Sequence, residues 1–183
     1  RPAGWLLMFL LLCSTTDGQT RKICERLQHR LQDAGVTVVL TMIEHAREVS
    51  PSDFSLLVVG ARIRYGHTDG RVIEFANRCA ALLNAMPSAF FSVNIVARKP
   101  GKDRPETNPY VQKFLQRVAW RPQLREVFAG RLDYPRYGPL DRNLIRFIMW
   151  MTDGPTDPSA QIEFTDWHRV DAFAQALCAA VRA

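Results

Sequence analysis

Met8-Phe9-Leu10-Leu11-Leu12-Cys13 runs without a polar residue into Ser14-Thr15-Thr16-Asp17-Gly18-Gln19-Thr20. An amphipathic stretch begins at once, with Thr20, Ile23, Cys24, Leu27, Leu31 and Ala34 at helical spacing. The order is strand, short polar loop, helix. It sets hydroxyls and free backbone N–H groups at a helix N-terminus, where a phosphate binds well. With a single glycine, the loop is neither the GxGxxG of dinucleotide folds nor the GxxxxGK[ST] of nucleotide hydrolases. Hydroxyls in place of glycines suit one terminal phosphomonoester, such as that of FMN. A Ser/Thr-rich connection that merely caps a helix reads the same way locally, so the remaining chain has to arbitrate.

Working outward, Val36 to Met42 (VTVVLTM) is β-branched and forms a second strand, and Phe54 to Ala61 (FSLLVVGA) is a third, buried on both faces. Arg62 to Asp69 reads as a polar loop and Gly70 to Ala85 as one helix. Ser88 to Val93 is a fourth strand, followed by a long basic loop, Asn94 to Glu106, and a helix over Thr107 to Trp120. Leu124 to Leu132 makes a fifth strand, and a last helix follows Thr165-Asp166. Strands alternating with helices through one domain imply an α/β fold, a doubly wound parallel sheet. Ligands of such sheets bind beyond the carboxyl ends of the strands, at the switch point. The loops 14–20, 62–69 and 92–106 all end there, which favours the phosphate reading.

The 183 residues suffice for one ordinary core. They divide into an upstream extension, 1–7, and a single domain, 8–183. A net charge of +6 points to an anionic partner, but the arginines are spread and no nucleic-acid-binding motif is present, so nucleic acid is not expected. Cys13, Cys24, Cys79 and Cys178 are far apart, form no CxxC pair and fall on apolar positions. They read as reduced core thiols of a cytosolic protein, with no metal site expected. The apolar run Trp5 to Cys13 is far shorter than the ~20 residues of a membrane span.

About thirty residues, 133–164, exceed what a minimal five-strand domain requires. Tyr134-Pro135-Arg136-Tyr137-Gly138-Pro139 is a stiff, aromatic, basic turn, and Leu140, Leu144, Phe147, Ile148 and Met151 follow at helical spacing. Arg142 and Arg146 take the opposite side, and Trp150 stands near the end. Such a helix, over 139–152, suits a membrane interface. A helix packed back on the domain with solvated arginines is the other reading.

STTDGQT (14–20), VVGARIRYGH (58–67), MPSAFFSVNIVARKP (86–100), WRP (120–122), YPRY (134–137) and TDW (165–167) together resemble the family of bacterial quinone-dependent protoporphyrinogen IX oxidases. The resemblance runs from about Met8 to near the C-terminus. It implies a flavodoxin-like sheet of order 2-1-3-4-5, a long-chain-type insertion in the fifth strand, and one FMN. It also implies oxidation of protoporphyrinogen IX to protoporphyrin IX in haem biosynthesis, menaquinone or ubiquinone as acceptor, and peripheral attachment to the cytoplasmic face of the bacterial inner membrane. The chain departs from the pattern at Thr16, where one member of that family carries a basic residue, and at Gly138-Pro139-Leu140, which replaces a bulkier, more aromatic stretch.

The expected phosphate site is Ser14, Thr15, Thr16, Asp17, Gly18, Gln19 and Thr20, with the hydroxyls of Ser14, Thr15 and Thr20 and the N–H groups around Gly18 and Gln19 as donors. Asp17 cannot face a dianion and should turn outward or cap an amide. The flavin ring is expected between Ile63-Arg64-Tyr65-Gly66 and Ser92-Val93-Asn94, with Tyr65 stacking on it. Arg64, Arg98, Lys99 and Arg136 are candidates for the substrate's propionates. His67 is a weak candidate for proton movement; His29, His45 and His168 read as ordinary exposed positions. A flavodoxin-type electron carrier and a flavin-dependent NAD(P)H:quinone reductase are the alternatives. Such carriers are generally acidic, which +6 opposes, and no nicotinamide-site signature is present.

Overall fold

The computed structural model describes residues 6–182. Five parallel strands form the central sheet: β1 (Met8–Ser14), β2 (Thr37–Met42), β3 (Leu56–Arg64), β5 (Ser88–Asn94) and β6 (Leu124–Ala129), in the order β2-β1-β3-β5-β6. Counting only these five gives the expected 2-1-3-4-5. β1 is central, pairing β2 on one side and β3 on the other, with Ser14 level with Ala61. Residues Phe9 to Ser14 are fully buried, which is why the stretch shows no polar alternation.

Its side chains divide by the strand period of two. Leu10 and Leu12 join Val72, Phe75, Val111, Phe114 and Trp120 on one face, beneath α2 (Gly70–Arg78), α3 (Ala80–Ala85) and α4 (Pro109–Arg117). Phe9, Leu11 and Cys13 join Ile23, Leu27, Val170 and Phe173 on the other, beneath α1 (Gln19–Asp33) and α6 (Trp167–Arg182). Each fully buried leucine is worth about 1.5–3 kcal/mol.

Four expectations are corrected. Residues 62–69 are a hairpin, not a loop: β3 continues to Arg64, turns at Tyr65 (φ 50°) and Gly66 (φ 76°), and pairs antiparallel with β4 (His67–Thr68). Two successive positive φ values make the turn whose twist matches such a hairpin. The helix over 70–85 breaks at Cys79 into α2 and α3. The helix over 107–120 is confined to Pro109–Arg117, because Asn108 caps its start by accepting from the Tyr110 and Val111 amides and Val118 is extended. The fifth strand ends at Ala129, and Arg131–Asp133 (β7) peels away to pair antiparallel with β8 (Gln161–Glu163). Gly130 serves both sheets, its N–H donating to Asn94 O and its carbonyl accepting from Phe164 N.

The insertion therefore leaves the carboxyl end of the fifth strand and carries one helix, α5 (Pro139–Met151), between β7 and β8. Most of the expected extension, residues 1–5, lies outside the described residues; the Leu7 carbonyl already accepts from Thr37 N. Cys13, Cys24 and Cys178 are buried and Cys79 half-buried, all as free thiols. No described helix is long and apolar enough to cross a membrane.

Candidate functional site

Where β1, β3, β5 and β6 end, the loops and the insertion enclose a cleft of about 460 Å³, within the range of small-molecule and cofactor sites. The first loop is built around the start of α1. Gly18 takes φ 90°, a left-handed conformation suited to glycine, and donates its N–H to Thr15 Oγ1 at 3.0 Å. Asp17 accepts from Gln19 N at 3.1 Å, capping an amide as expected. The Gly18 and Gln19 amides, expected as ligand donors, are thus bonded within the loop. The free first-turn amides among the described residues are those of Thr20 and Arg21. Beside them the buried Thr20 Oγ1 has no hydrogen-bond partner.

Ser14 is differently engaged from expectation. Its hydroxyl is fully buried and donates to Asp69 Oδ2 at 2.7 Å, so it positions the second loop instead of facing the cleft. Burial works against ionisation of Asp69, but hydrogen bonds from Arg71 and Ser14 outweigh it and hold the carboxyl at about 2. The Gln19 side chain is likewise structural, donating to Glu163 Oε1 at 2.8 Å and Thr165 Oγ1 at 2.9 Å, which ties α1 to the returning arm of the insertion.

The expected ring-flanking residues come together. Ile63, Arg64, Tyr65 and Gly66 line one side of the cleft, Val93 and Asn94 another, and Thr16, Asp17 and Thr20 its floor. Ser92 lies beneath, accepting from Asn94 Nδ2 at 3.1 Å. Asn94 and Asn108 exchange side-chain hydrogen bonds at 3.1 and 3.2 Å, and Asn94 Oδ1 accepts from Ala97 N. With its side chain consumed, Asn94 offers the cleft only backbone.

Three other candidates fall outside it. Arg98 donates to Ile95 O at 3.1 Å and to Thr152 O at 3.2 Å, a cation spent on the carboxyl end of α5. Lys99 is half-buried beside it and His67 is exposed on β4; neither lines the cleft. Arg136 does line it. His29, His45 and His168 are exposed, as expected.

Sequence reasoning missed Arg62, Asp133, Tyr137 and Asp141, all of which line the cleft. Burial lowers the Arg62 pKa, and its Nε finds no partner. Asp133 pairs with Arg131 at 3.2 Å through Oδ2 but leaves a buried Oδ1 unsatisfied. Burial raises the Tyr137 phenol, whose oxygen accepts from Asp133 N at 3.2 Å. The signal was the YPRY turn; it was read as stiff connection, whereas it forms a wall.

The comparisons with known proteins meet this geometry. The family model described as Flavodoxin domain matches residues 10–159. A protein of Escherichia coli K12 named protoporphyrinogen IX dehydrogenase [quinone] is 44% identical over 92% of this chain and 93% of its own. One of the same name from Leishmania major is 44% identical over 93% of this chain and 74% of its own. The chain belongs to the flavodoxin-domain family, in the branch of the quinone-type protoporphyrinogen IX dehydrogenases. Among solved structures, a Pseudomonas aeruginosa flavodoxin superimposes with TM-score 0.54 at 11% identity, over 97% of this chain and all of that one. An archaeal flavodoxin gives TM-score 0.52 at 11% identity, over 97% of this chain and all of that one. These two likenesses establish the shared fold.

The cofactor of a flavodoxin domain is FMN, and the residues present fit it. Thr20 Oγ1 and two free amides at the start of α1 suit a phosphate. Tyr65, Tyr110 and Tyr137 supply flat walls for a ring. The backbone of 63–66 and 93–94 supplies donors and acceptors for its edge.

Proposed function

We propose that this protein oxidises protoporphyrinogen IX to protoporphyrin IX, using FMN and passing the electrons to menaquinone or ubiquinone. One observation carries the reading. Of the four buried side-chain polar atoms without a partner among the described residues, three (Thr20 Oγ1, Arg62 Nε and Asp133 Oδ1) belong to residues lining one cleft. Unsatisfied buried groups cost about 1–3 kcal/mol each, so their convergence marks a place for a polar ligand.

Bound FMN supplies the hydride and electron chemistry. The chain binds, orients and excludes water. Thr20 and the α1 amides hold the phosphate, and the 63–66 and 93–94 backbone fixes the ring's edge. Arg64 and Arg136 give the substrate's two carboxylates cationic partners. Ile145, Ile148 and Met149 of α5 close the cleft with apolar surface, which strengthens every polar contact beneath.

The outward face of α5 supports peripheral attachment to the cytoplasmic face of a bacterial inner membrane. Leu140, Phe147, Trp150 and Met151 are 86%, 55%, 70% and 64% exposed. The arginines of the helix turn the other way: Arg146 donates to Thr156 O at 2.8 Å and Arg142 to Tyr137 O at 3.4 Å. Cations inward and apolar side chains outward is the reverse of a helix packed back on the domain with solvated arginines. It suits a helix set into a lipid interface, where a quinone also resides.

The test is spectroscopic and anaerobic. Purified protein should carry a flavin absorption band that protoporphyrinogen IX bleaches and added quinone restores. A Thr15→Glu protein should carry no flavin. Bleaching by NADPH but not by protoporphyrinogen would overturn the proposal.

A further inference from the structure

At the mouth of the cleft, the two oxygens of one carboxylate are received by two neighbouring side chains. Asp141 Oδ2 accepts from Arg64 at 3.0 Å, and Asp141 Oδ1 accepts from the Tyr65 hydroxyl. Arg64 also lies over the Tyr65 ring, 5.0 Å from its centre, which fixes the guanidinium and phenol relative to each other. The pair sits on the β3–β4 hairpin, where Tyr65 adopts φ 50°, a conformation non-glycine residues seldom take. Asp141 comes from the first turn of α5, across the cleft.

From this geometry we infer that Arg64 and Tyr65 form a carboxylate receptor for one propionate of the tetrapyrrole, and that Asp141 is an internal stand-in for that propionate. The inference rests on the porphyrinogen reading above and extends it to a named subsite and its competitor. Entry of the substrate exchanges one carboxylate for another on the same donors, so no charged group is stranded. It also unties the start of α5 from the hairpin and widens the mouth that the helix covers.

The energetic scale permits the exchange. The Arg64 and Asp141 side chains are 45% and 35% exposed, and an ion pair that open to solvent is worth no more than about fivefold in an equilibrium. A dianionic ligand also held by ring contacts can displace it. Arg136 lines the same cleft and is left for the second carboxylate.

The experiment uses flavin-loaded protein and two probes, protoporphyrin IX and its dimethyl ester, titrated by quenching of protein fluorescence. Asp141→Asn, which removes the competing charge at constant shape, should bind the diacid about two- to fivefold more tightly and the ester unchanged. Arg64→Gln should bind the diacid about tenfold more weakly, and the double variant should lose the gain of Asp141→Asn. Tyr65→Phe should shift in the same direction as Arg64→Gln, by less. The flavin spectrum of each variant reports that the fold is intact. If the diacid and ester affinities move together, or neither moves, the receptor assignment is wrong while the functional reading stands. If flavin-loaded wild-type protein binds neither porphyrin, both fall.

Discussion

The Ser14 hydroxyl donates to Asp69 Oδ2 across 2.7 Å, joining the end of β1 to the residue that caps α2. Asp69 Oδ1 accepts from Arg71 N at 3.0 Å, and its other oxygen accepts from the Arg71 guanidinium at 2.7 Å. Two of the loops around the cleft are therefore pinned through one carboxylate. Its pKa is held at about 2, below the ~4 of an unfolded chain. A depressed carboxylate stabilises the fold above the unfolded value and loses that contribution as pH falls through the folded one. The stability difference between wild type and Asp69→Asn, from urea unfolding, should be full above about pH 5 and shrink steadily as pH falls to about 2 and below. A difference independent of pH would contradict this.

Ser14 and Thr20 should behave differently, although both were expected to face the phosphate. Thr20 Oγ1 is buried without a partner at the head of α1, whereas the Ser14 proton is committed to Asp69. Thr20→Val should weaken FMN binding at least about tenfold, the worth of a hydrogen bond to a charged group. Ser14→Ala should cost stability and change FMN affinity less. Flavin fluorescence titration of the two apoproteins measures both, and the reverse ranking would overturn the loop's assignment.

Gly60 and Phe91 share one space in the sheet. A methyl group on Gly60 would sit 2.3 Å from Phe91 Cζ and 2.8 Å from both Cε atoms. The ring cannot swing aside, because Phe128 and Phe173 meet it edge-on with centres 5.5 and 6.0 Å away. Gly60→Ala should therefore destabilise by about 1–3 kcal/mol, the usual cost of overpacking. Thermal unfolding followed by circular dichroism would register it as a lowered Tm. An unchanged Tm would mean that the ring is free to move.

What could be read without coordinates follows the range of the interactions. Phe9 to Cys13 and Phe54 to Ala61 announce buried parallel strands because burial on both faces needs only apolar side chains, and sheet order follows from alternation with helices. The Tyr65–Gly66 turn stayed hidden because a tyrosine at positive φ runs against local preference. Asp141 was invisible as a cleft residue for a different reason: its partners, Arg64 and Tyr65, lie 77 and 76 positions away. Arg98 misled because a cation in a basic loop looks available to a ligand, and only tertiary contact reveals that Thr152 already holds it. The periodicity of α5 gave the correct apolar face but could not say which side of the helix meets the protein.

That orientation yields a last prediction. Leu144 and Phe147 are 43% and 55% exposed on the outer side of α5, beside the 70% exposed Trp150, whose ring centre is 6.1 Å from that of Phe147. Insertion of these side chains into an acyl boundary removes apolar surface from water at about 25 cal/mol per Å². Replacing Leu144, Phe147 and Trp150 together by serine leaves the cleft-lining Ile145, Ile148 and Met149 in place and should lower binding to phosphatidylethanolamine–phosphatidylglycerol vesicles at least about tenfold. FMN content should be retained, since none of the inward-facing groups changes. Co-sedimentation measures the loss, and turnover with a water-soluble quinone should fall less than turnover with a vesicle-bound one. Equal vesicle binding by the variant and wild type would remove α5 from membrane attachment and leave it only as the cover of the cleft.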